Sequence, residues 1–290
     1  MILARMVAGL AVVLVALAAG ACAPAAQSVP TATSLPVKHD GPLPLAAEGT
    51  ALRRIQDAGK VVIGVKYDIP TFGYMNPRTR KLEGFDVDVA KAVGRHIFGV
   101  DGKVEFVEAR ESDRIPFLEQ ARVNLVISTF TINEERAKVV DFSDVYFVAG
   151  QSLLVKSGSP IKDTADLAGR NVGTARGTTS EANIRKAAPS ARVMLFDTFS
   201  EAVVALDAGA VEAVTTDDII LMGYVKQAPL KYAVVGKQFT QEPYGVGVAK
   251  NSPELLKAVN DAIYLLKRSD EWQAMFERNL GPGWQAVFRR

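Results

Sequence analysis

Residues able to perform covalent chemistry are few in this sequence. It contains one cysteine, Cys22, and two histidines, His39 and His96. A covalent enzyme needs a nucleophile with an adjacent base, and no such pair is evident. The two histidines lie in separate segments and give no metal-binding pattern. These residues therefore favour a protein that binds its ligand without changing it, and we expect no catalytic residue, metal or other cofactor.

The single cysteine follows a segment typical of exported proteins. Arg5 precedes an uncharged apolar run, residues 6–19, which is shorter than the roughly 20 residues of a membrane-spanning helix. The following residues, up to Cys22, resemble a bacterial lipobox, although Ala19 stands where leucine is more usual. We expect residues 1–21 to be a signal peptide and Cys22 to carry a diacylglycerol that holds the protein at the extracytoplasmic face of the cell membrane. The alternative is an ordinary signal peptide with an incidental cysteine.

The composition separates a tether from a globular part. Residues 22–48 are rich in Pro, Ala, Ser and Thr, and such a segment cannot bury enough apolar surface to offset its ordering entropy. We predict a flexible tether there. The remaining residues suffice for one large domain or two lobes. The net charge is +2, and no basic stripe indicates nucleic-acid binding.

Short β-branched runs alternate with amphipathic stretches in the globular part. The predicted strands are 61–65, 104–107, 125–128, 151–155, 171–174, 193–196, 213–215 and 232–235. The predicted helices are 85–97, 115–121, 180–186, 200–208, 218–226 and 253–268. This alternation predicts an α/β fold with βαβ crossovers and mostly parallel sheets. Ligands of such sheets lie beyond the carboxyl ends of the strands, so the residues after each strand are the candidates for binding.

The helix predicted from residue 85 carries a specific pattern. Gly84 permits a tight entry, and Asp86 and Asp88 place negative charge at the helix N-terminus. The segment from Gly84 to Ile97 resembles the signature of the family 3 extracellular solute-binding proteins, the polar amino acid receptors of ABC transporters. Three further blocks resemble the same family in order: STFTINEERAKVVDFS at 128–143, DLAGRNVGTARGTTS at 166–180 and VEAVTTD at 211–217.

The resemblance implies a periplasmic-binding-protein type II fold. Two α/β lobes with mixed, mostly parallel sheets would be joined by two hinge strands. Lobe one would comprise residues 49–153 and 245–290, and lobe two residues 154–244. The protein would be a monomer that closes its lobes on an amino acid and delivers it to a permease in the membrane. Within this family, the chain looks in particular like the actinobacterial glutamate-binding lipoproteins.

The resemblance also implies roles for individual residues. Arg136 would hold the ligand carboxylate bidentately, and Asp217 would hold the ammonium group. A surface salt bridge is the alternative for Arg136, and Asp218 is the alternative to Asp217. The expected ligand-binding residues are Lys66, Thr129, Phe130, Thr131, Arg136, Arg176, Thr178, Thr179 and Asp217.

The expected ligand is glutamate, because Lys66 stands where relatives for cationic amino acids and glutamine tend to carry an acid. A lysine there would pair with a side-chain carboxylate, with Arg176 assisting from lobe two. The alternative is that Lys66 reaches solvent. Residues 109–112 lack the aromatic residue that many relatives have, which weakens the inference and leaves aspartate, glutamine and asparagine open. An amino-acid sensor that signals to a membrane partner and a rare catalytic member of the family are the alternative functions.

Overall fold

A computed structural model describes residues 41–282 of the chain. The predicted signal peptide, Cys22 and most of the predicted tether lie outside these residues. Across the described range, no helix combines the length and the apolar character needed to cross a membrane. Part of the segment predicted as tether is bonded to the folded part. The Leu43 N–H donates to the Ile97 carbonyl at 3.0 Å, and the Ala46 N–H donates to the Gln56 side chain at 2.9 Å.

Short strands and helices alternate through these residues. The strands are β1 Val61–Val65, β2 Asp68–Ile69, β3 Gly73–Met75, β4 Leu82–Glu83, β5 Val104–Glu108, β6 Leu125–Val126, β7 Val140–Phe142, β8 Phe147–Ala149, β9 Gln151–Lys156, β10 Asn171–Ala175, β11 Arg192–Phe196, β12 Ala213–Asp217, β13 Tyr232–Val235, β14 Glu242–Tyr244 and β15 Gly247–Ala249. The helices are α1 Ala51–Ala58, α2 Phe85–Phe98, α3 Arg114–Glu119, α4 Glu134–Ala137, α5 Thr179–Ala187, α6 Phe199–Ala208, α7 Asp218–Gln227, α8 Pro253–Leu266 and α9 Asp270–Leu280. Each predicted strand and helix is confirmed, with its ends within a few residues of the prediction.

Two sheets of five strands form the two lobes. The sheet of lobe one has the order β5-β1-β6-β15-β7, with β1 parallel to β5 and β6, and β15 antiparallel to both of its neighbours. The sheet of lobe two has the order β11-β10-β12-β9-β13, in which the first three strands are parallel and β9 is antiparallel to β12 and β13. The predicted α/β fold with two lobes and mixed sheets is confirmed.

The position of β9 differs from the predicted lobe boundary. The prediction places residues 151–153 in lobe one, whereas β9 pairs with β12 from Gln151 onward in the sheet of lobe two. A run of apolar residues indicates a strand but not which sheet it joins, because pairing partners are distant in sequence. The chain crosses between the lobes just before β9 and just before β15. There β8 and β14 pair with each other as an antiparallel hinge, with Phe147 opposite Tyr244.

Aromatic packing around α2 ties the C-terminal helix to lobe one. The rings of Phe85 and Phe276 lie 4.7 Å apart, and those of Phe85 and Trp272 lie 5.3 Å apart. Asp88 accepts hydrogen bonds from Arg278 at 2.7 Å and from Asn279 at 2.8 Å. Since buried aromatic pairs add to the energy of area burial, these contacts fix α9 on α2. Trp272 and Phe276 thereby dock α9 onto the core.

Candidate functional site

The carboxyl ends of parallel strands in the two lobes carry the polar residues of the candidate site. In lobe one, β1 leads into Lys66, β5 into the loop 109–113, and β6 into the loop 127–133. In lobe two, β10 leads into the start of α5, and β12 ends at Asp217. Because these strand ends face the same cleft between the lobes, residues distant in sequence are brought together.

Arg136 is positioned by a short helix. The side chain of Asn133 caps α4 by accepting from the Arg136 N–H at 2.9 Å. The Arg136 guanidinium is buried, donates to the Thr131 carbonyl at 2.7 Å, and lies 4.9 Å from the centre of the Phe130 ring. Burial lowers its pKa, and the nearby cation of Arg114 lowers that pKa further. An anion bound beside Arg136 would relieve both effects.

Arg114 is a second buried guanidinium in the site, and the sequence analysis missed it. Its Nε donates to the Glu111 carbonyl at 3.0 Å, and its Nη1 donates to the Ser128 and Thr129 carbonyls at 3.2 Å each. It lies 4.8 Å from the centre of the Phe130 ring, which Arg136 also approaches. Among the ion pairs of residues 41–282, none involves Arg114. Arg114 stands at the start of a short helix, where an arginine is usually solvated. Its position in the sequence therefore did not indicate a binding residue.

The loop 127–133, which follows β6, is held in a strained conformation. Thr129 has a φ of 42°, in the left-handed region that β-branched residues avoid. Its N–H donates to Asp86 Oδ2 at 2.7 Å, and the Tyr146 hydroxyl donates to Asp86 Oδ1 at 2.7 Å. Burial raises the pKa of Asp86 to about 7, opposed by these two hydrogen bonds. Asp86 therefore supports the loop from behind, which is a structural role.

Asp217 is the acidic group that lobe two contributes. It is buried at the end of β12, and its Oδ2 accepts a hydrogen bond from the Tyr244 hydroxyl of the hinge. Its Oδ1 is also buried and has no hydrogen-bond partner within residues 41–282. Burial, followed by the charge of Glu242, raises the pKa of Asp217 to about 8. A buried carboxylate oxygen without a donor is an acceptor available to a bound cation.

The neighbouring carboxylate is occupied by protein donors. Asp218 Oδ1 accepts from the Ile219 N–H at 2.8 Å and from the Gly150 N–H at 3.3 Å. Its Oδ2 accepts from the Gln238 amide at 2.6 Å. Since both oxygens are used inside lobe two, Asp218 has less capacity than Asp217 for a ligand.

The start of α5 crosses the cleft toward lobe one. Gly177 has a φ of 73°, and a Cβ at this position would lie 3.3 Å from the Ser112 backbone. The Thr178 hydroxyl donates to the Ala175 carbonyl at 2.6 Å, and the Thr179 hydroxyl donates to Glu242 Oε2 at 2.8 Å. Both threonine hydroxyls therefore hold the turn in shape, and the free N–H groups of the helix start remain available for an anion.

Hydrogen bonds between the lobes show that the cleft is closed. The Gly177 carbonyl accepts from Nη2 of Arg114 and from Nη2 of Arg136, at 3.4 Å in each case. At another point of the cleft, the Ser200 hydroxyl donates to Asp68 at 2.5 Å. Through these contacts, Arg114 and Arg136 of lobe one lie against the turn at Gly177 of lobe two, as closure of the two lobes requires.

Lys66 is buried, but it is already paired. Its Nζ lies 2.5 Å from Glu111 Oε1, and the two side chains are 1% and 0% exposed. Burial lowers the pKa of Lys66, and the charge of Glu111 opposes that shift. The sequence predicts that Lys66 pairs with the ligand, and it does not indicate Glu111 as a partner. The pairing of β1 with β5, which aligns Val65 with Glu108, brings these two side chains together.

Arg176 lies apart from the other expected site residues. Its side chain is 53% exposed and pairs with Asp197 at 3.1 Å. It also donates to the Leu195 carbonyl at 3.2 Å. The structure therefore brings together Lys66, Thr129, Phe130, Thr131, Arg136, Thr178, Thr179 and Asp217, and it leaves Arg176 on the surface of lobe two.

The arrangement of the described residues provides charge recognition. Lobe one supplies two guanidinium groups beside an aromatic ring, and lobe two supplies a carboxylate and a helix start. Across residues 41–282, no cluster of His, Cys, Asp or Glu side chains is placed to hold a metal ion. Such a set suits a small zwitterion whose opposite charges lie on opposite sides of the cleft.

A pocket on the outer face of lobe one is a weaker candidate. Five of its six charged residues are already in ion pairs, namely Asp88, Lys91, Arg95, Asp101 and Glu271. Arg95 lies 3.0 Å from Asp101 and 2.5 Å from Glu271, and Lys91 lies 3.6 Å from Asp88. Exposed pairs of this kind bind little in water, so the cleft is the better site.

Comparison with known proteins agrees with this geometry. Residues 61–282 match the model of a family described as bacterial extracellular solute-binding proteins, family 3. The glutamine-binding protein of Geobacillus stearothermophilus is 46% identical over 217 residues, which are 74% of this chain and 82% of that protein. The ABC transporter glutamine-binding protein GlnH of Bacillus subtilis is 42% identical, covering 78% and 83%. The glutamate-binding protein GluB of Corynebacterium efficiens is 33% identical, covering 82% and 85%.

Solved structures give the same result. An ancestral arginine-binding protein bound to glutamine matches with a TM-score of 0.72 and 41% identity, over 77% of this chain and 98% of that one. An ancestral amino acid-binding protein, AncCDT-1, described as a precursor of cyclohexadienyl dehydratase, matches with a TM-score of 0.73 and 33% identity, over 79% and 99%.

Proposed function

Because the chain belongs to the bacterial extracellular solute-binding proteins, family 3, and is an amino-acid-binding component of an ABC transporter, we propose that it captures glutamine between its two lobes. The predicted family and the predicted type II periplasmic-binding-protein fold are confirmed. The identity of the amino acid and the roles of single residues are our proposal.

One observation carries the proposal for the α-amino acid group. Two buried guanidinium groups, of Arg114 and Arg136, meet the turn of Gly177 across the closed cleft. The charge of Asp217 acts on both of these cations, so the three groups are close together. The ligand carboxylate would lie against Arg136 and the N–H groups at the start of α5, and the ligand ammonium would donate to Asp217 Oδ1.

The proposed side chain differs from the one expected from the sequence. Glutamate was expected because Lys66 stands where relatives for cationic amino acids and glutamine tend to carry an acid, and would pair with a side-chain carboxylate. In the structure, Glu111 already neutralises Lys66. Two relatives that are more than 40% identical are glutamine-binding proteins. Glutamate is the second candidate. Within residues 41–282, the hydrogen-bond partners of Arg114 are backbone carbonyls, and GluB is also a relative.

Delivery at the membrane completes the proposal. We infer that the protein works as a monomer at the extracytoplasmic face, anchored through Cys22, and passes the amino acid to a permease. Sensing through a membrane partner would use the same closure of the lobes. A catalytic role has less support, because the cleft residues described above include no nucleophile with an adjacent base.

Calorimetric titration of the purified protein with glutamine, glutamate, aspartate, asparagine, arginine and histidine tests the proposal. We expect tight binding of glutamine, weaker binding of glutamate and no response to arginine. Tight binding of arginine or histidine would overturn the assignment of the side-chain site while leaving the receptor function intact. The absence of binding across the whole panel would overturn capture of these amino acids.

A further inference from the structure

We infer that the buried pair Lys66–Glu111 recognises the side-chain carboxamide of the ligand, and that Glu111 is the residue that excludes the corresponding acid. This inference rests on the proposed function. Glu111 is thereby a specificity-determining residue, although it is not among the ligand-binding residues expected from the sequence.

The pair keeps unsatisfied polar atoms, because Lys66 Nζ and Glu111 Oε1 are in ion-pair contact but have no hydrogen-bond partner within residues 41–282. Glu111 Oε1 lies 2.5 Å from Lys66 Nζ. Glu111 Oε2 is buried and has no hydrogen-bond partner in the described part of the chain. A buried ion pair contributes little net stability because desolvation offsets its attraction, and a buried oxygen without a donor adds a further cost. A ligand that donates a hydrogen bond to Oε2 would remove that cost.

The pair lies where both lobes meet. The backbone of Glu111 lies next to Gly177 of lobe two, because a Cβ on Gly177 would be 3.7 Å from the Glu111 carbonyl carbon. Tyr224, on α7 of lobe two, has a buried hydroxyl whose pKa is raised by burial and then by the charges of Asp68 and Glu111. The closed protein therefore surrounds the pair with groups from both lobes.

The pair is also within reach of the proposed α-amino acid site. Arg114 connects the two places, since its Nε donates to the Glu111 carbonyl and its Nη2 shares the Gly177 carbonyl with Arg136. A ligand with its carboxylate at Arg136 would extend its side chain past Arg114 and Phe130 toward Lys66. We expect the side chain of glutamine to reach from the carboxylate site at Arg136 to the pair Lys66–Glu111.

The chemistry of the pair matches an amide and opposes both charged side chains. A carboxamide oxygen accepts from the Lys66 ammonium, and its nitrogen donates to Glu111 Oε2. A glutamate carboxylate would face the Glu111 carboxylate, and an arginine or lysine side chain would face the Lys66 ammonium. A ligand with a charged side chain is therefore repelled by a buried group of the same charge, which lowers its affinity relative to glutamine.

Glu111→Gln tests the inference, with Glu105→Gln as the matched control. Glu105 lies on β5, the strand that leads to Glu111, but it is exposed and pairs with Lys60 at the surface. Titration of each protein with glutamine and glutamate gives the ratio of the two affinities. In Glu111→Gln, Lys66 loses its anionic partner, so we expect glutamate affinity to rise about tenfold and the preference for glutamine to fall about a hundredfold. Glu105→Gln should keep the wild-type ratio.

A second variant keeps the test valid if Glu111→Gln does not fold. The double variant Lys66→Gln with Glu111→Gln carries two neutral amides, and we expect it to bind glutamine without gaining glutamate. An unchanged ratio in Glu111→Gln, or a gain of glutamate binding in the double variant, would overturn the inference. If the wild type and Glu105→Gln bind no amino acid, the proposed function itself fails, and the two failures are thereby distinguished.

Discussion

Replacing Asp217 by asparagine is expected to abolish amino-acid binding and to make the ligand-free protein more stable near neutral pH. Burial and the charge of Glu242 raise the pKa of Asp217 from 3.8 to about 8. A tenfold change in an acid constant corresponds to about 1.4 kcal/mol, so ionising this carboxyl in the folded protein costs on the order of 5 kcal/mol. Asparagine avoids that cost and keeps an oxygen that accepts from the Tyr244 hydroxyl.

The gain in stability has a defined dependence on pH. The folded protein binds the proton of Asp217 more tightly than the unfolded chain, in which the carboxyl keeps its ordinary pKa of 3.8. The free energy of unfolding of the wild type therefore falls as the pH rises from about 4 to about 8, and asparagine removes this contribution. We expect the two proteins to differ little at about pH 4, and the variant to be more stable by a few kcal/mol at about pH 8. Asp86, whose pKa is raised to about 7 by burial, adds the same trend to both proteins and cancels in the comparison.

Urea denaturation without ligand, at several pH values across this range, measures the difference. Titration with glutamine measures binding. Asp218→Asn is the matched control, because an amide there would lose an acceptor for the Ile219 N–H or for the Gln238 amide. It should keep binding. Equal stability of wild type and Asp217→Asn at the higher pH would refute the assigned cost of the buried carboxyl, and retained binding would remove Asp217 from the ammonium site.

Three further variants test the site and its closure. Arg136→Lys keeps a cation but loses the guanidinium fork, so calorimetry should show glutamine affinity reduced about a hundredfold with the fold intact; an affinity close to wild type would remove Arg136 from the carboxylate site. Gly223→Ala adds a methyl group that would lie 2.6 Å from the Pro70 carbonyl oxygen of the opposite lobe, so the lobes should no longer close fully. We expect the radius of gyration from small-angle scattering to stay unchanged when ligand is added. A decrease equal to that of the wild type would contradict this contact. Arg176→Ala should leave the affinity for glutamine unchanged, because the side chain is exposed and paired with Asp197. A tenfold loss of affinity in the titration would show that Arg176 takes part in binding.

The fold could be predicted from the sequence where the signal is local. Val61–Val65 is mostly β-branched, and Gln151–Lys156 has Leu153, Leu154 and Val155 at its centre; both runs are strands. Strands β8, β14 and β15 each have three residues, which is too short for a periodic pattern to emerge. These strands form because segments distant in sequence pair with them. Which segments pair is seen only in the tertiary structure.

The site could be predicted in part for the same reason. Arg136 and Asp217 lie in blocks that resemble the family, and the structure buries both at the closed cleft. The partner of Lys66 is Glu111, which is remote in sequence and becomes adjacent only through the parallel pairing of β1 with β5. Arg114 shows the same limit, because its partners are mainly backbone carbonyls of two loops, which have no side-chain signature.

The position of β15 has a consequence for the order in which the molecule can fold. This strand lies between β6 and β7 in the sheet of lobe one, although it follows the whole of lobe two in the chain. On the ribosome, β6 and β7 emerge long before the strand that joins them, whereas the strands of lobe two, from β9 to β13, are continuous in sequence. Lobe two can therefore complete its sheet first, and lobe one must keep two strand edges open until Gly247–Ala249 has been synthesised. The lobe that starts the globular chain is the last to be finished.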